Sequence, residues 1–384
     1  MILHELIAYD VLRLIWWGLL GLLLAGFAVA DGYDLGTQML LPFAGRTDLE
    51  RRTVIQSISP IWEANQVWLI LGGGAIFAAW PPLYAVSFSG FYLAIFLMLF
   101  ALILRPVAFN FRDHDNNPAW QAMWDWALFI SGFVPAVIAG VALGNVLQGV
   151  PFHIEHDMQI HYDGTLLQLL NPYALLCAAV SVAMLVTHGG AWIQYKTQGV
   201  VAQRASRWGM TAGFLTTALY ALAGVLLAHT IPGYAVTSEV STTAASSPLL
   251  KEVVAQEGAW FANYEAWPVL WLVPAVGLAG PVLAALFIMA KRPMLALVTN
   301  AVGIAGMITS VGVSLFPFIL PSSASPDASL TVWDASSSHL TLFVMLVAMA
   351  IFMPLILVYS SWVFAVLRGK VDVESLEKGS DHGY

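Results

Sequence analysis

The run Leu14-Ile15-Trp16-Trp17-Gly18-Leu19-Leu20-Gly21-Leu22-Leu23-Leu24-Ala25-Gly26-Phe27-Ala28-Val29-Ala30 passes directly into Asp31-Gly32-Tyr33-Asp34-Leu35-Gly36. The fold turns on whether that apolar run is a cleaved leader or a retained helix. Leu14 to Phe27 has the length of a leader's apolar region, and Ala28-Val29-Ala30 has the form of a cleavage site. The flank decides. A leader opens on positive charge, whereas Glu5 and Asp10 here outnumber Arg13. The run is therefore read as a retained membrane helix.

Similar runs recur along the chain, and a bilayer core asks for about 20 apolar residues per helix. They lie at 12–41, 53–80, 84–104, 123–147, 172–195, 208–230, 267–290, 294–318 and 341–367. Composition agrees. Apolar residues fill 59% of 384 positions and charged residues only 10%, against about 25% charged in a soluble domain. The expected fold is all-α, nine transmembrane helices in a single domain over 1–367. A polar cytoplasmic tail, 368–384, follows.

Charge sets the orientation. Arg46, Arg51 and Arg52 fall between helices one and two, and Arg105 and Arg112 between three and four. Lys196, Arg204 and Arg207 lie between five and six, Lys291 and Arg292 between seven and eight. Arg368, Lys370 and Lys378 follow helix nine, while Arg13 and Lys251 alone fall on the other side. By the positive-inside rule the N-terminus is outside and the C-terminus cytoplasmic. Inserting or removing one span would scramble the segregation. Phe27-Ala28-Val29-Ala30-Asp31-Gly32 in helix one and Met184-Leu185-Val186-Thr187-His188-Gly189 in helix five point to a loose repeat. Two four-helix bundles plus one extra helix would result. The net charge of −8 gives no sign of a nucleic-acid partner. The lone Cys177 excludes an intrachain disulfide and any cysteine-based metal cluster.

Ionisable groups at bilayer depth are expensive, about 2.5–3.5 kcal/mol each on insertion scales, and mark functional candidates. Asp31, Asp34, Glu63, Arg105 and Asp125 qualify. With the first cytoplasmic loop centred near Thr47, Asp31 and Glu63 fall at equal distances on either side, so their carboxylates should share a depth. Asp34, one turn along, faces the same way as Asp31. Acids at graded depth, with Ser59, Asn65 and Gln66 nearby, are what a proton path needs. The alternative is that Asp31 and Glu63 only pack helices. Around Asp115, Arg105 and Asp125 are likewise equidistant, which points to a structural ion pair, and Pro106 should end or kink helix three. The run Gly72-Gly73-Gly74 invites close helix approach or a bend; it lacks the spacing of a phosphate loop.

No haem or metal ligated by this chain is expected. His188 lies about 20 Å along the axis from His229 and His339, too far to sandwich one porphyrin. A haem held by one ligand, or with Met184 opposite, is left open by the spacing. His153, His156 and His161 could bind a surface metal, but solvated loop residues are the commoner outcome.

The residues also carry a family resemblance. Asp31-Gly32-Tyr33-Asp34-Leu35-Gly36, Trp62-Glu63-Ala64-Asn65-Gln66-Val67-Trp68-Leu69 and Met123-Trp124-Asp125-Trp126 are its early motifs. Leu143-Gly144-Asn145-Val146-Leu147-Gln148-Gly149-Val150-Pro151-Phe152, Phe316-Pro317-Phe318 and Ser329-Leu330-Thr331-Val332-Trp333-Asp334 follow in order. In these the chain resembles subunit II of the cytochrome bd-type ubiquinol oxidases. The resemblance implies a haem-bearing partner, subunit I, which holds two b-type haems and haem d and oxidises quinol. Subunit II would support assembly of that haem site, supply a cytoplasmic proton path and hold a structural ubiquinone. Small accessory subunits would be further partners, none of which the sequence identifies. The complex reduces dioxygen to water electrogenically, and this chain alone would hold no complete active site. One departure stands out: the family often has Asp then Gly where this chain has Glu63-Ala64. From residues alone, the rival is a haem-free secondary transporter or proton conductor.

Overall fold

A computed structural model describes residues 3–371; residues 372–384 of the expected tail, with Lys378, lie outside them. The chain is mostly helical. Helix α1 (Tyr9–Ala30) meets α2 (Gly32–Ala44) across the single residue Asp31, and a short α3 (Asp48–Gln56) follows. Next come α4 (Trp62–Ala79), α5 (Pro81–Gly90), α6 (Tyr92–Phe111) and α7 (Pro118–Gln148). The one-turn α8 (Leu166–Leu169) precedes α9 (Pro172–Lys196), α10 (Gly199–His229) and the short α11 (Ala262–Ala266). Helices α12 (Leu272–Met289), α13 (Pro293–Leu315) and α14 (His339–Val366) complete the set.

Among the described residues, eight helical units are long and apolar enough to cross a membrane, with α1 and α2 counted as one. Helix α4, expected as the second of nine spans, is not among them. Glu63, Asn65 and Gln66 in its first turns dilute its apolar character. The span expected at 53–80 is thus shortened. Residues 48–56 form a polar helix instead of membrane-crossing chain. Pro106 does not end its helix either: α6 runs through it to Phe111.

Helix α9 is the hub, packed against α2, α7, α10 and α13. Small residues let it be. A Cβ added at Gly36 would stand 1.9 Å from the Leu185 carbonyl oxygen, and one at Gly189 2.2 Å from the Gly36 carbonyl carbon. The backbones of α2 and α9 therefore touch directly, as in small-residue membrane helix contacts. Helix α14, by contrast, exposes Val344, Ile351, Val358 and Trp362, the side-chain set of a lipid-facing helix. The Gly72-Gly73-Gly74 run does not support close approach inside the chain. Nothing lies within 4 Å of a Cβ built at any of the three, and they open onto an apolar cleft of about 1240 Å³ shared with Phe27, Met184 and Tyr220.

The two ends of the helices differ. At one end the basic loops are tied together. Thr47 caps α3, Glu50 accepts hydrogen bonds from the backbone N–H groups of Arg46 (2.7 Å) and Thr47 (3.2 Å), and Arg204 Nη1 reaches it from α10 at 2.7 Å. Lys196 donates to the Gly369 carbonyl at 2.9 Å. At the other end lie three small antiparallel hairpins: β1 (Phe152–Ile154) with β2 (Ile160–Tyr162), β3 (Gly233–Val236) with β4 (Val253–Gln256), and β5 (Phe318–Leu320) with β6 (Leu330–Thr331). Arg13, wholly buried, pins the loop after β3 by donating to the carbonyls of Thr242 (2.6 Å) and Ala244 (3.0 Å). Lys251 pairs with Asp334 at 2.7 Å. The two basic residues at this end, Arg13 and Lys251, thus both fasten its loops.

Glu50 offers a first prediction. Slight burial pushes its carboxyl up, but the Arg46 N–H and the Arg204 guanidinium outweigh that and hold it below the usual range. Its stabilisation is therefore present above the unfolded carboxyl value of about 4.3 and is lost as the pH falls through the folded value. Glu50→Ala should lower stability by about 1–2 kcal/mol near neutral pH. The deficit should begin to shrink as the pH falls below about 4.3 and vanish only below the lower folded value, read as the difference in melting temperature from the parent across a pH series.

Candidate functional site

The site is built where α1 passes into α2, with Asp31 keeping helical dihedrals and helical hydrogen bonds to Phe27 and from Leu35. Asp31 and the first turn of α2 lie in the interior, where residues 31 to 41 are all buried. Asp31 receives Arg105 of α6 as a fork, Nη1 to Oδ1 at 2.7 Å and Nη2 to Oδ2 at 3.3 Å, with both side chains wholly buried. The Arg105 guanidinium also lies 5.8 Å from the Trp62 ring. A charged pair this deep survives only because each partner offsets the other's desolvation and the geometry is bidentate.

Asp34 sits one turn further. Its Oδ2 accepts from Asn65 Nδ2 at 2.7 Å. Asn65 also bonds the Tyr33 hydroxyl, and the Tyr33 ring stacks on Trp192 at 4.2 Å. Asp34 Oδ1 is buried without a hydrogen-bond partner among the described residues. Glu63 lies two residues before Asn65, in the first turn of α4, and is exposed.

The expected pairings are thereby rearranged. The depth count from Thr47 assumed a simple hairpin, but α3 and the turn after it take up residues 48–61. This brings Asn65, not Glu63, level with the acids, and Glu63 sits at the helix mouth. The expected Arg105–Asp125 pair is not formed. Asp125 is claimed by Arg112 (Nε to Oδ1, 2.6 Å) and Arg51 (Nη1 to Oδ2, 2.8 Å), both from the loop region at its own end. Arg112 also reaches Asp48 at 2.9 Å, closing a network across three segments. Equal spacing from a loop gave the depth of Arg105 but not its direction, which faces α2. Tyr33 and Arg112 were missed as site members. The motif Asp31-Gly32-Tyr33-Asp34 contained the first, but residues two apart on a helix do not face each other, so its spacing gave no sign of it. His188 is buried, and its Nδ1 hydrogen-bonds Asn300 at 3.2 Å.

With this geometry in view, the comparisons with known proteins are specific. The family described as cytochrome bd terminal oxidase subunit II matches residues 12–367. The chain is 46% identical to the probable cytochrome oxidase subunit 2 of Haemophilus influenzae and 45% to the cytochrome bd-I ubiquinol oxidase subunit 2 of Escherichia coli; each match covers 99% of this chain and all of the relative. A Bacillus subtilis cytochrome bd ubiquinol oxidase subunit 2 is 31% identical over 93% of this chain and 96% of its own. Among solved structures, the bd oxidase from Geobacillus thermodenitrificans shares the fold, with a TM-score of 0.68 at 14% identity over 92% of this chain and 98% of that one.

Proposed function

The chain belongs to the cytochrome bd terminal oxidase subunit II family, and on that premise we propose that it supports a haem-bearing subunit I and feeds it protons from the cytoplasm. Quinol supplies the electrons, and dioxygen is reduced to water in the partner. The chain is a single transmembrane domain, 1–367, with a cytoplasmic tail. The count of nine spans is retained with α4 as the second. Its start is near the basic loops, and its last carbonyl, Ala79 O, accepts from Ser337 N at 2.8 Å beside the Arg13 cluster. The basic end is the cytoplasmic one by the positive-inside rule. A two-bundle repeat has support in the packing. α7 lies on α9 as α13 lies on α1, and α9 packs α10 as α1 packs α4. The ninth helix is then α14.

The observation that carries the proton role is the buried Asp34 carboxylate, held by Asn65 of the helix whose first turn carries the exposed Glu63. Protons would be gathered at Glu63, pass by Asn65 and Tyr33, and arrive at Asp34. Asp31 serves as the fixed countercharge of Arg105. No haem ligand is assigned to this chain; the b-type haems and haem d belong to the partner. The apolar cleft suits the isoprenoid tail of a ubiquinone. Co-purification tests the assignment. Tagged chain purified from its native cells should bring down a partner with b- and d-type bands in a reduced-minus-oxidised spectrum and quinol oxidase activity. A haem-free chain isolated alone and active in solute movement would overturn it in favour of a transporter.

A further inference from the structure

The hairpin β1–β2 holds a cluster that proton transfer does not use. In its register His153 stands directly opposite His161. Successive residues of a strand point to opposite faces. Phe152 and Ile154 are buried, so His153 between them turns outward. The two imidazoles stack at 5.1 Å with their planes 19° apart. Glu155, just past β1, brings Oε1 to 3.3 Å from His161 Nε2. One donor atom from each of His153, Glu155 and His161 lies within 4.8 Å of the others. His156 is not part of the group, and Glu155 takes the place the sequence had offered to it.

We propose that this hairpin binds a divalent transition-metal ion of the zinc type, with His153, His161 and Glu155 as ligands. Two imidazoles and one carboxylate form a donor set that zinc accepts, with water completing a tetrahedron. Imidazole nitrogen selects against magnesium and calcium. Bonds of about 2.1 Å would require donors about 3.4 Å apart, which exposed side chains reach by small rotations. The backbone beneath is already held. Phe152 is fully buried, Ser322 Oγ donates to its carbonyl, and Asp163 N–H bonds the Pro151 carbonyl at 2.9 Å. Asp163 adds a second observation. Its Oδ2 lies 2.8 Å from His153 Nδ1, the carboxylate–histidine arrangement that fixes the tautomer and leaves Nε2 with the lone pair for a metal. The site lies at the end opposite the basic loops, so the ion would come from the periplasmic side.

The test uses the purified, chelator-washed complex and Zn²⁺ alone, followed by equilibrium dialysis and metal analysis. The parent should take up one more zinc per complex than a His153→Ala/His161→Ala variant, and excess Mg²⁺ should not displace it. Glu155→Gln and Asp163→Asn should each weaken that uptake by about 10-fold or more, with His156→Ala unchanged. Equal zinc uptake by the parent and the double variant, both with intact haem spectra, would overturn the proposal. So would displacement by Mg²⁺.

Discussion

Replacing Arg105 by Met should nearly abolish assembly of the oxidase. Arg105 and Asp31 are both wholly buried and joined by two bonds. Removing the cation leaves Asp31 as an uncompensated carboxylate in the interior, a change that costs about 3–5 kcal/mol in buried pairs. Marginal stability is of the order of 5–15 kcal/mol, so much of it would be lost. Arg105→Lys keeps the charge but not the planar fork and should be intermediate. The measurement is the yield of haem-loaded complex in detergent extracts, judged by the d-type absorbance. The double variant Arg105→Met/Asp31→Asn should recover part of that yield, because the orphaned charge is gone. If Arg105→Met assembles like the parent, the pair is not the fastener described here.

Gly36→Ala should be nearly as damaging, although it adds a single methyl group. The new Cβ would lie 1.9 Å from the Leu185 carbonyl oxygen and 2.8 Å from Gly189 N. Both neighbours are backbone, so no rotamer can yield and α2 must move off α9. Overpacking typically costs about 1–3 kcal/mol and sometimes more; this contact belongs at the upper end. The shift would also carry Asp34 away from Asn65. The control is Gly73→Ala, whose Cβ meets nothing within 4 Å and should be tolerated. Melting of the detergent-solubilised complex compares them. A parent-like melting temperature for Gly36→Ala would refute the close-contact reading.

Much of this was legible in the sequence, and the exceptions have physical causes. Hydropathy finds α9 or α14 because a membrane span must be apolar. It cannot find α3, a polar surface helix inside a loop, and that omission displaced the depth reckoned for Glu63. Charge segregation grouped Arg51, Arg112 and Arg204 on one side, and the structure ties their loops together. It could not say which acid each would meet, since direction around a helix depends on tertiary packing. Asp31 and Arg105 were both recognised as buried charges, but each was matched to the wrong partner. The three small hairpins have strands of two to four residues, too short for an alternating pattern to register. Only the pairing of β1 with β2 brings His153 to His161.

The central claim is the proton route, and proton uptake during turnover tests it most directly. Purified oxidase would be reconstituted in liposomes, and uptake from the face bearing the basic loops followed with a pH dye while oxygen is consumed. Glu63→Gln, an exposed change that should leave assembly and the haem spectrum intact, is predicted to slow coupled uptake by at least about 10-fold. Asp34→Asn should do the same where it assembles. Glu63→Gln enzyme with parent-like uptake and turnover would contradict the account.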